Sequence, residues 1–186
     1  MIAIQRNPAN VYQMGAADGL GLGLYFTVAF VLQMSLFKSA LLGLLGELML
    51  LAVPFIAYAI MRSGLKAAKW RSTFSAVWMH GIMMFLCGSL ILGITSYAYL
   101  RFVNTTCIAE SFRFAADFYL SQPEAELRQM GQMLENTIKH NGLPTPISLS
   151  FGLMWLGSFS GAMLSLLEAM LLKLLAKRYV NNNKQE

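Results

Sequence analysis

Residues 40–60 read ALLGLLGELMLLAVPFIAYAI, and this stretch decides the fold. An α-helix rises about 1.5 Å per residue and the hydrocarbon core of a bilayer is about 30 Å thick, so about twenty apolar residues span it. The stretch has that length, and its single charged residue is Glu47. It predicts a transmembrane helix with a carboxylate near its middle, where an unpartnered charge costs at least about 2.5 kcal/mol.

The composition of the whole chain supports a membrane protein. The chain has 186 residues, of which 56% are hydrophobic and 12% are charged, whereas a soluble domain averages about 25% charged residues. This deficit excludes a disordered chain, a coiled coil and a soluble enzyme core. The net charge is +5, and the basic residues lie beside the apolar runs. It therefore indicates membrane orientation and argues against nucleic-acid binding.

Apolar runs predict four membrane spans at residues 16–37, 40–61, 74–100 and 147–172. We expect an all-α fold, an integral membrane four-helix bundle that forms a single domain over residues 1–186. Arg6, the basic stretch of residues 62–71 and the basic C-terminus share one side, and Lys38 lies on the other. The positive-inside rule then predicts a multi-pass protein of the bacterial inner (cytoplasmic) membrane with both termini cytoplasmic. Residues 1–12 contain no cleavable signal peptide pattern.

Residues 104–146 form the one sizeable polar segment and predict an extramembrane helical hairpin between the third and fourth spans. Apolar residues at helical spacing predict a first helix that lies at the interface or packs on its neighbour, namely Ile108, Phe112, Ala115 and Tyr119. Ser121 and Glu124 have the spacing of a capping box, which predicts the start of a second helix. Cys107 at the edge of this segment is expected to be about 30 Å from Cys87, too far for a disulfide.

Small residues at a spacing of four define two faces on which helices can approach closely in lipid. The first face belongs to the first span and consists of Gly15, Gly19 and Gly23. The second belongs to the last span and consists of Gly157, Gly161 and Ser165. A helix-packing role is predicted for both, although membrane helices are rich in glycine in any case.

Depth in the membrane suggests which side chains meet Glu47. Counting residues along each span puts Gln33, Thr95 and Trp155 at a similar level, and all three can form hydrogen bonds. This candidate intramembrane polar site has three interpretations. Glu47 is a hydrogen-bonded residue that fixes helix register, or part of a proton- or cation-coupled site, or a contact to a partner protein.

A second polar layer is expected toward the cytoplasmic side, where Asp18, His80 and Glu168 fall at one depth. Such a set could bind a cation or relay protons, or it could be wetted by headgroup water. With only two histidines in the chain, no metal site and no cofactor are predicted. Basic residues follow the second span, namely Arg62, Lys66, Lys69 and Arg71. These residues are explained by their effect on the orientation of the protein in the membrane, or by recognition of an anionic lipid head group.

No catalytic signature is present: the chain lacks a nucleophile elbow and a phosphate-binding glycine loop. The first hypothesis is therefore a non-enzymatic anchor, scaffold or accessory subunit of a membrane complex, with a membrane protein partner or a homo-oligomer. The second is a small proton- or cation-coupled transporter or channel-like homo-oligomer, suggested by Glu47 and the nearby Pro54. The third is a membrane subunit that assists lipid-linked sugar metabolism, suggested by the basic stretch.

The pattern of the chain resembles the domain-of-unknown-function family 4199, found mainly in Bacteroidetes. Four spans, a short first connection and a Gly-rich last span carry the resemblance. So do residues 70–76, WRSTFSA, and residues 97–104, YAYLRFVN. The resemblance covers nearly the whole chain. It implies a four-span membrane protein and supplies no established activity, so it carries no functional residue over to this sequence.

Overall fold

The computed structural model describes residues 11–35, 39–67, 72–140 and 142–182. Within them the chain forms six α-helices and a five-residue π-helical turn, Tyr99–Val103. The helices are α1 (Val11–Met34), α2 (Ala40–Ala67), α3 (Phe74–Ala98), α4 (Cys107–Leu120), α5 (Ala125–Lys139) and α6 (Pro146–Asn182).

Four of these helices are long and apolar enough to cross a membrane, so the protein is an all-α, multi-pass membrane protein. The helices outrun the predicted spans: α1 starts at Val11 instead of residue 16, α2 ends at Ala67 instead of residue 61, and α6 ends at Asn182 instead of residue 172. Apolar runs mark only the part in hydrocarbon, whereas backbone hydrogen bonding continues into the headgroup region. The predicted span residues 36 and 37 lie outside the described residues.

Contacts divide the chain into two compact units. The first unit comprises Met1–Gly93 and Leu153–Glu186, and the second comprises Ile94–Gly152. The first unit therefore contains α1, α2, most of α3 and most of α6. The second contains the end of α3, the hairpin of α4 and α5, and the start of α6.

Within the first unit, neighbouring contacts define the directions of the helices. Gly15 on α1 lies against His80 on α3, and Gly23 lies against Ile91, so α1 and α3 run parallel. Tyr25 donates a 2.7 Å hydrogen bond from its hydroxyl to the Met49 carbonyl, and α2 returns antiparallel to α1. The small residues of α6 meet α3 in reverse order, which makes that pair antiparallel. Alternating directions of this kind fit four successive spans.

Both small-residue faces lie in helix contacts. A Cβ placed on Gly19 would stand 2.6 Å from the Met84 carbonyl oxygen and 2.7 Å from the Cys87 Cβ. On α6, a Cβ on Gly157 would stand 2.7 Å from the Ser89 hydroxyl, and one on Gly161 would collide with the Phe85 ring. These positions allow a backbone approach that any larger residue would prevent.

In the second unit, α4 packs on α5, which is one of the two arrangements expected for the amphipathic helix. Gly131 makes this approach possible, since a Cβ there would stand 2.9 Å from the Leu120 backbone nitrogen. The expected capping box is wrong. Ser121 donates its hydroxyl back to the Phe118 carbonyl at 2.7 Å, and Glu124 is the N-cap of α5 without a side-chain capping bond. The local bond within the preceding turn competes successfully for the serine hydroxyl.

Candidate functional site

The candidate intramembrane polar site contains a direct side-chain contact between α1 and α2. Gln33 Nε2 donates a 2.8 Å hydrogen bond to Glu47 Oε1. The backbone approach that permits this contact is close, because a Cβ on Gly46 would stand 2.8 Å from the Gln33 backbone nitrogen. Two polar side chains in the membrane therefore satisfy part of each other's hydrogen-bonding demand, and each retains an oxygen for a further partner.

The other two residues expected at this level are placed differently. Trp155 is on α6 in the first unit, where 65% of its surface is exposed. Thr95 is on α3 in the second unit and is half-buried. For both residues, a role beside Glu47 stays a prediction.

Glu47 lies at the edge of an exposed apolar stripe on α2. Large side chains at spacings of seven and four form this stripe, namely Leu44, Leu51 and Phe55, which are 57%, 69% and 76% exposed. Only 22% of the most apolar window of α2 is buried, against 33–44% for the other three spans. The second span is thus the least buried of the four spans, and it carries a carboxylate on its exposed side.

A second polar contact lies deeper, between α1 and α3. His80 Nε2 is 3.1 Å from Asp18 Oδ2, and the two side chains are 8% and 14% exposed. Gly64 on α2 borders the same imidazole, because a Cβ there would stand 3.5 Å from His80 Cε1. The imidazole is therefore enclosed by three helices, and it forms an ion pair with Asp18 when it is protonated.

Glu168, the third residue of the expected layer, is on α6 and only 4% exposed. Both of its carboxylate oxygens are buried without a hydrogen-bond partner among the described residues. It follows Ser165 by three residues, and Ser165 contacts Gly81, the residue after His80. Glu168 and His80 therefore lie at a similar level. No group of three histidine, cysteine or acidic side chains that could hold a metal ion occurs in the described part of the chain.

The basic residues after the second span are only partly described. Arg62 and Lys66 are exposed on the last turns of α2. Lys69 and Arg71 lie outside the described residues. Head-group recognition by this stretch stays a prediction.

The first unit also contains a cavity that the sequence did not predict. Its volume is about 480 Å³, it is partly open to the surface, and its wall is formed by α2 and α6 together with α1 and α3. Among the described residues of its wall, only Gln33 and Ser160 have side chains that carry hydrogen-bonding groups. Val53 is another wall residue, and Pro54 follows it directly in the chain. Hydrophobic side chains make up most of the remaining wall, including Phe26, Phe85, Leu50 and Leu164. The sequence signal for this cavity was weak: the small residues of α6 explain close packing equally well.

Both cysteines are free thiols, and the distance expected between them stays a prediction. Cys107, at the start of α4, is 1% exposed. Burial raises the pKa of its thiol, the nearby Glu110 carboxylate adds to this, and a hydrogen bond with Ser111 opposes it. Cys107 is therefore a structural residue of the hairpin, because a buried neutral thiol is a poor nucleophile.

Comparison with known proteins identifies a family over most of the chain. A family model described as "Protein of unknown function (DUF4199)" matches residues 13–173. This range runs from the first turn of α1 to the later part of α6 and includes the hairpin. No curated protein and no solved structure matches the chain.

Proposed function

Because the chain belongs to the DUF4199 family, which assigns no activity, we propose from its geometry that it is an accessory subunit of a membrane complex. It binds a transmembrane helix of a partner protein along α2. The observation that carries the proposal is the hydrogen-bonded pair of Gln33 and Glu47 on the exposed side of the bundle.

A carboxylate in lipid carries a cost in free energy unless it finds hydrogen-bond partners. One hydrogen bond from Gln33 leaves most acceptor sites of Glu47 without a donor among the described residues. Intramembrane acidic residues normally face a protein interior or pair with another polar group. A partner helix that supplies a donor would satisfy Glu47 and cover the stripe of Leu44, Leu51 and Phe55 at the same time.

Charge decides between a different protein and a second copy of this chain. If two copies met along α2 about a two-fold axis, the two Glu47 carboxylates would approach each other, and like charges repel. A partner helix with a lysine, arginine or hydroxyl side chain is complementary instead. Interhelical hydrogen bonds of this kind contribute about 0.6–2 kcal/mol in membranes, which adds to the packing of the stripe.

Site-specific photo-crosslinking in cells tests the proposal. A photoreactive amino acid replaces Leu48, which is 54% exposed one residue after Glu47, or Leu167, which is 59% exposed on α6. We expect one discrete crosslinked protein from position 48, none from position 167, and loss of the product in Glu47→Leu. The variant Met163→Ala, at a residue that is 55% exposed on the same face of α6 as Leu167, is the control and should retain it. A product of twice the chain's mass would show a homo-oligomer in place of a complex with a different protein. A product whose yield is unchanged in Glu47→Leu would overturn the proposal.

A second candidate function, a small proton- or cation-coupled transporter, is favoured by the buried layer of Asp18, His80 and Glu168. A carboxylate with two unsatisfied buried oxygens is a group that a proton or cation could neutralise. Proton uptake by reconstituted vesicles tests this reading. Glu168→Gln is expected to abolish the uptake, whereas Glu135→Gln on the exposed face of α5 should leave it unchanged. Equal uptake by both variants would exclude a role of Glu168 in transport, and no uptake by the unmodified protein would rule transport out.

A further inference from the structure

We propose that the cavity between α2 and α6 binds one acyl chain of a membrane lipid whose head group donates a hydrogen bond to Gln33. This site is separate from the partner surface. Its α2 residues are Leu50 and Val53, which lie on the other side of the helix from the stripe of Leu44, Leu51 and Phe55. The inference therefore does not depend on the proposed partner.

The length of the cavity matches half a bilayer. On α6 its wall extends from Leu153 to Leu164, and the eleven steps between these residues correspond to about 16 Å of helix. The hydrocarbon core is about 30 Å thick, so the cavity covers about one leaflet. Gln33, in the last turn of α1, is at the end of the cavity nearer the membrane surface, and Phe26 is two turns deeper. A lipid chain that starts at the level of Gln33 and runs toward the bilayer centre fits this orientation.

The chemistry of the wall selects an aliphatic occupant. The volume of about 480 Å³ lies in the range of sites for small-molecule ligands, about 300–1,000 Å³. Its surface is almost entirely hydrocarbon, and the hydroxyl of Ser160 is already donated to the Leu156 carbonyl at 2.6 Å. The walls therefore offer mainly packing along the acyl chain.

The polar end of the cavity selects the head group. The Gln33 amide nitrogen is engaged by Glu47, so the amide is fixed and its oxygen remains an acceptor. A head group with hydrogen-bond donors, such as the ammonium of phosphatidylethanolamine, suits this acceptor. A trimethylated head group such as that of phosphatidylcholine has no donor and does not.

Bulk lipid would also fill a groove on a membrane protein. The test must therefore distinguish one specifically bound lipid molecule from the bulk lipid that surrounds the protein. The full-length protein is purified in mild detergent, incubated with equal amounts of phosphatidylethanolamine and phosphatidylcholine of the same chain length, and analysed by native mass spectrometry. We expect a one-to-one lipid adduct with a preference for phosphatidylethanolamine of about tenfold, the effect of one hydrogen bond of about 1.4 kcal/mol.

Two variants fill the cavity from opposite walls. Leu50→Trp on α2 and Ser160→Phe on α6 should each lower the adduct at least about tenfold. Their controls are Leu51→Trp and Phe159→Trp, which change neighbouring exposed residues outside the wall and should retain the adduct. If one filling variant does not fold, the other decides, because each blocks the same space independently.

Gln33→Leu tests the head-group contact on its own. It should leave a lipid adduct but abolish the preference for phosphatidylethanolamine. Equal adducts in the unmodified protein and both filling variants would mean bulk lipid only and would overturn the site. A preference that survives Gln33→Leu would overturn the assigned head-group contact. Neither outcome affects crosslinking from position 48, so failure here is distinguishable from failure of the proposed function.

Discussion

His80 on α3 and Asp18 on α1 meet at 3.1 Å, with side chains that are 8% and 14% exposed. The two residues are 62 positions apart, and the contact joins the first and third spans at the glycine-rich face where their backbones are closest. The same contact fixes the register between the two helices, because a shift of one residue would separate the side chains.

Removal of one member of this pair should destabilise the bundle. In Asp18→Leu the imidazole remains enclosed without its partner, and breaking a buried pair costs about 3–5 kcal/mol. We expect a loss of about 3 kcal/mol in the free energy of unfolding in detergent, measured by circular dichroism during denaturant titration. The control is Lys139→Gln, which breaks a surface pair of 2.9 Å with Glu135 and should cost less than about 0.5 kcal/mol. Equal losses in the two variants would contradict a structural role for the buried pair.

Substitution of a glycine on the packing face of α1 should destabilise the protein, and a glycine off this face on the same helix provides the matched control. Gly19→Ala places a Cβ 2.6 Å from the Met84 carbonyl oxygen, and overpacking of this kind costs about 1–3 kcal/mol. Gly21 has no atom within 4 Å of its would-be Cβ, so Gly21→Ala should be neutral or stabilising by up to about 1 kcal/mol. Thermal unfolding in detergent should therefore separate the two variants by several degrees. A similar midpoint for both would argue against close packing at Gly19.

The burial of Cys107 should make the stability of the hairpin depend on pH. Burial, together with Glu110, raises the pKa of this thiol in the folded state, so folding favours the neutral form. The stabilisation is complete below the pKa of an unfolded cysteine, about 8.5, and is lost as the pH rises through the higher folded pKa. Hydrogen exchange of α4 should accelerate above about pH 8.5, and Cys107→Ala should remove this acceleration beyond the intrinsic effect of pH. The thiol should also resist maleimide at pH 7 unless the hairpin unfolds.

The orientation of the spans predicts which loops are accessible from outside the cell. In a background without Cys87 and Cys107, a cysteine in place of the exposed Gln129 on α5 should react with a membrane-impermeant maleimide in intact cells. A cysteine in place of the exposed Lys66 at the end of α2 should react only after permeabilisation. The positive-inside rule is the physical basis of this expectation. Labelling in the reverse order would invert the topology.

Much of this architecture could be predicted because hydrocarbon imposes a simple rule. Every backbone group must be satisfied inside a span, so an apolar run of about twenty residues becomes a helix whatever its neighbours are. The rise of 1.5 Å per residue then gives each side chain a depth, which is why a count along the spans predicts Gln33 as a partner for Glu47. The outer ends of α1, α2 and α6 were less predictable, because helices continue into the headgroup region where composition no longer restricts them.

The sequence by itself thus determined the four spans, the hairpin between the third and fourth, and the levels at which the polar residues lie. Only the tertiary structure decided which residues at one level meet: Asp18 contacts His80, whereas both Glu168 oxygens lack a hydrogen-bond partner within the described residues. It also decided that Glu47 is exposed and that a cavity separates α2 from α6. Depth follows from a count along one chain. The rotation of each helix about its axis and the gaps between helices depend on how side chains of several helices interdigitate. These features are therefore set by residues from the whole bundle.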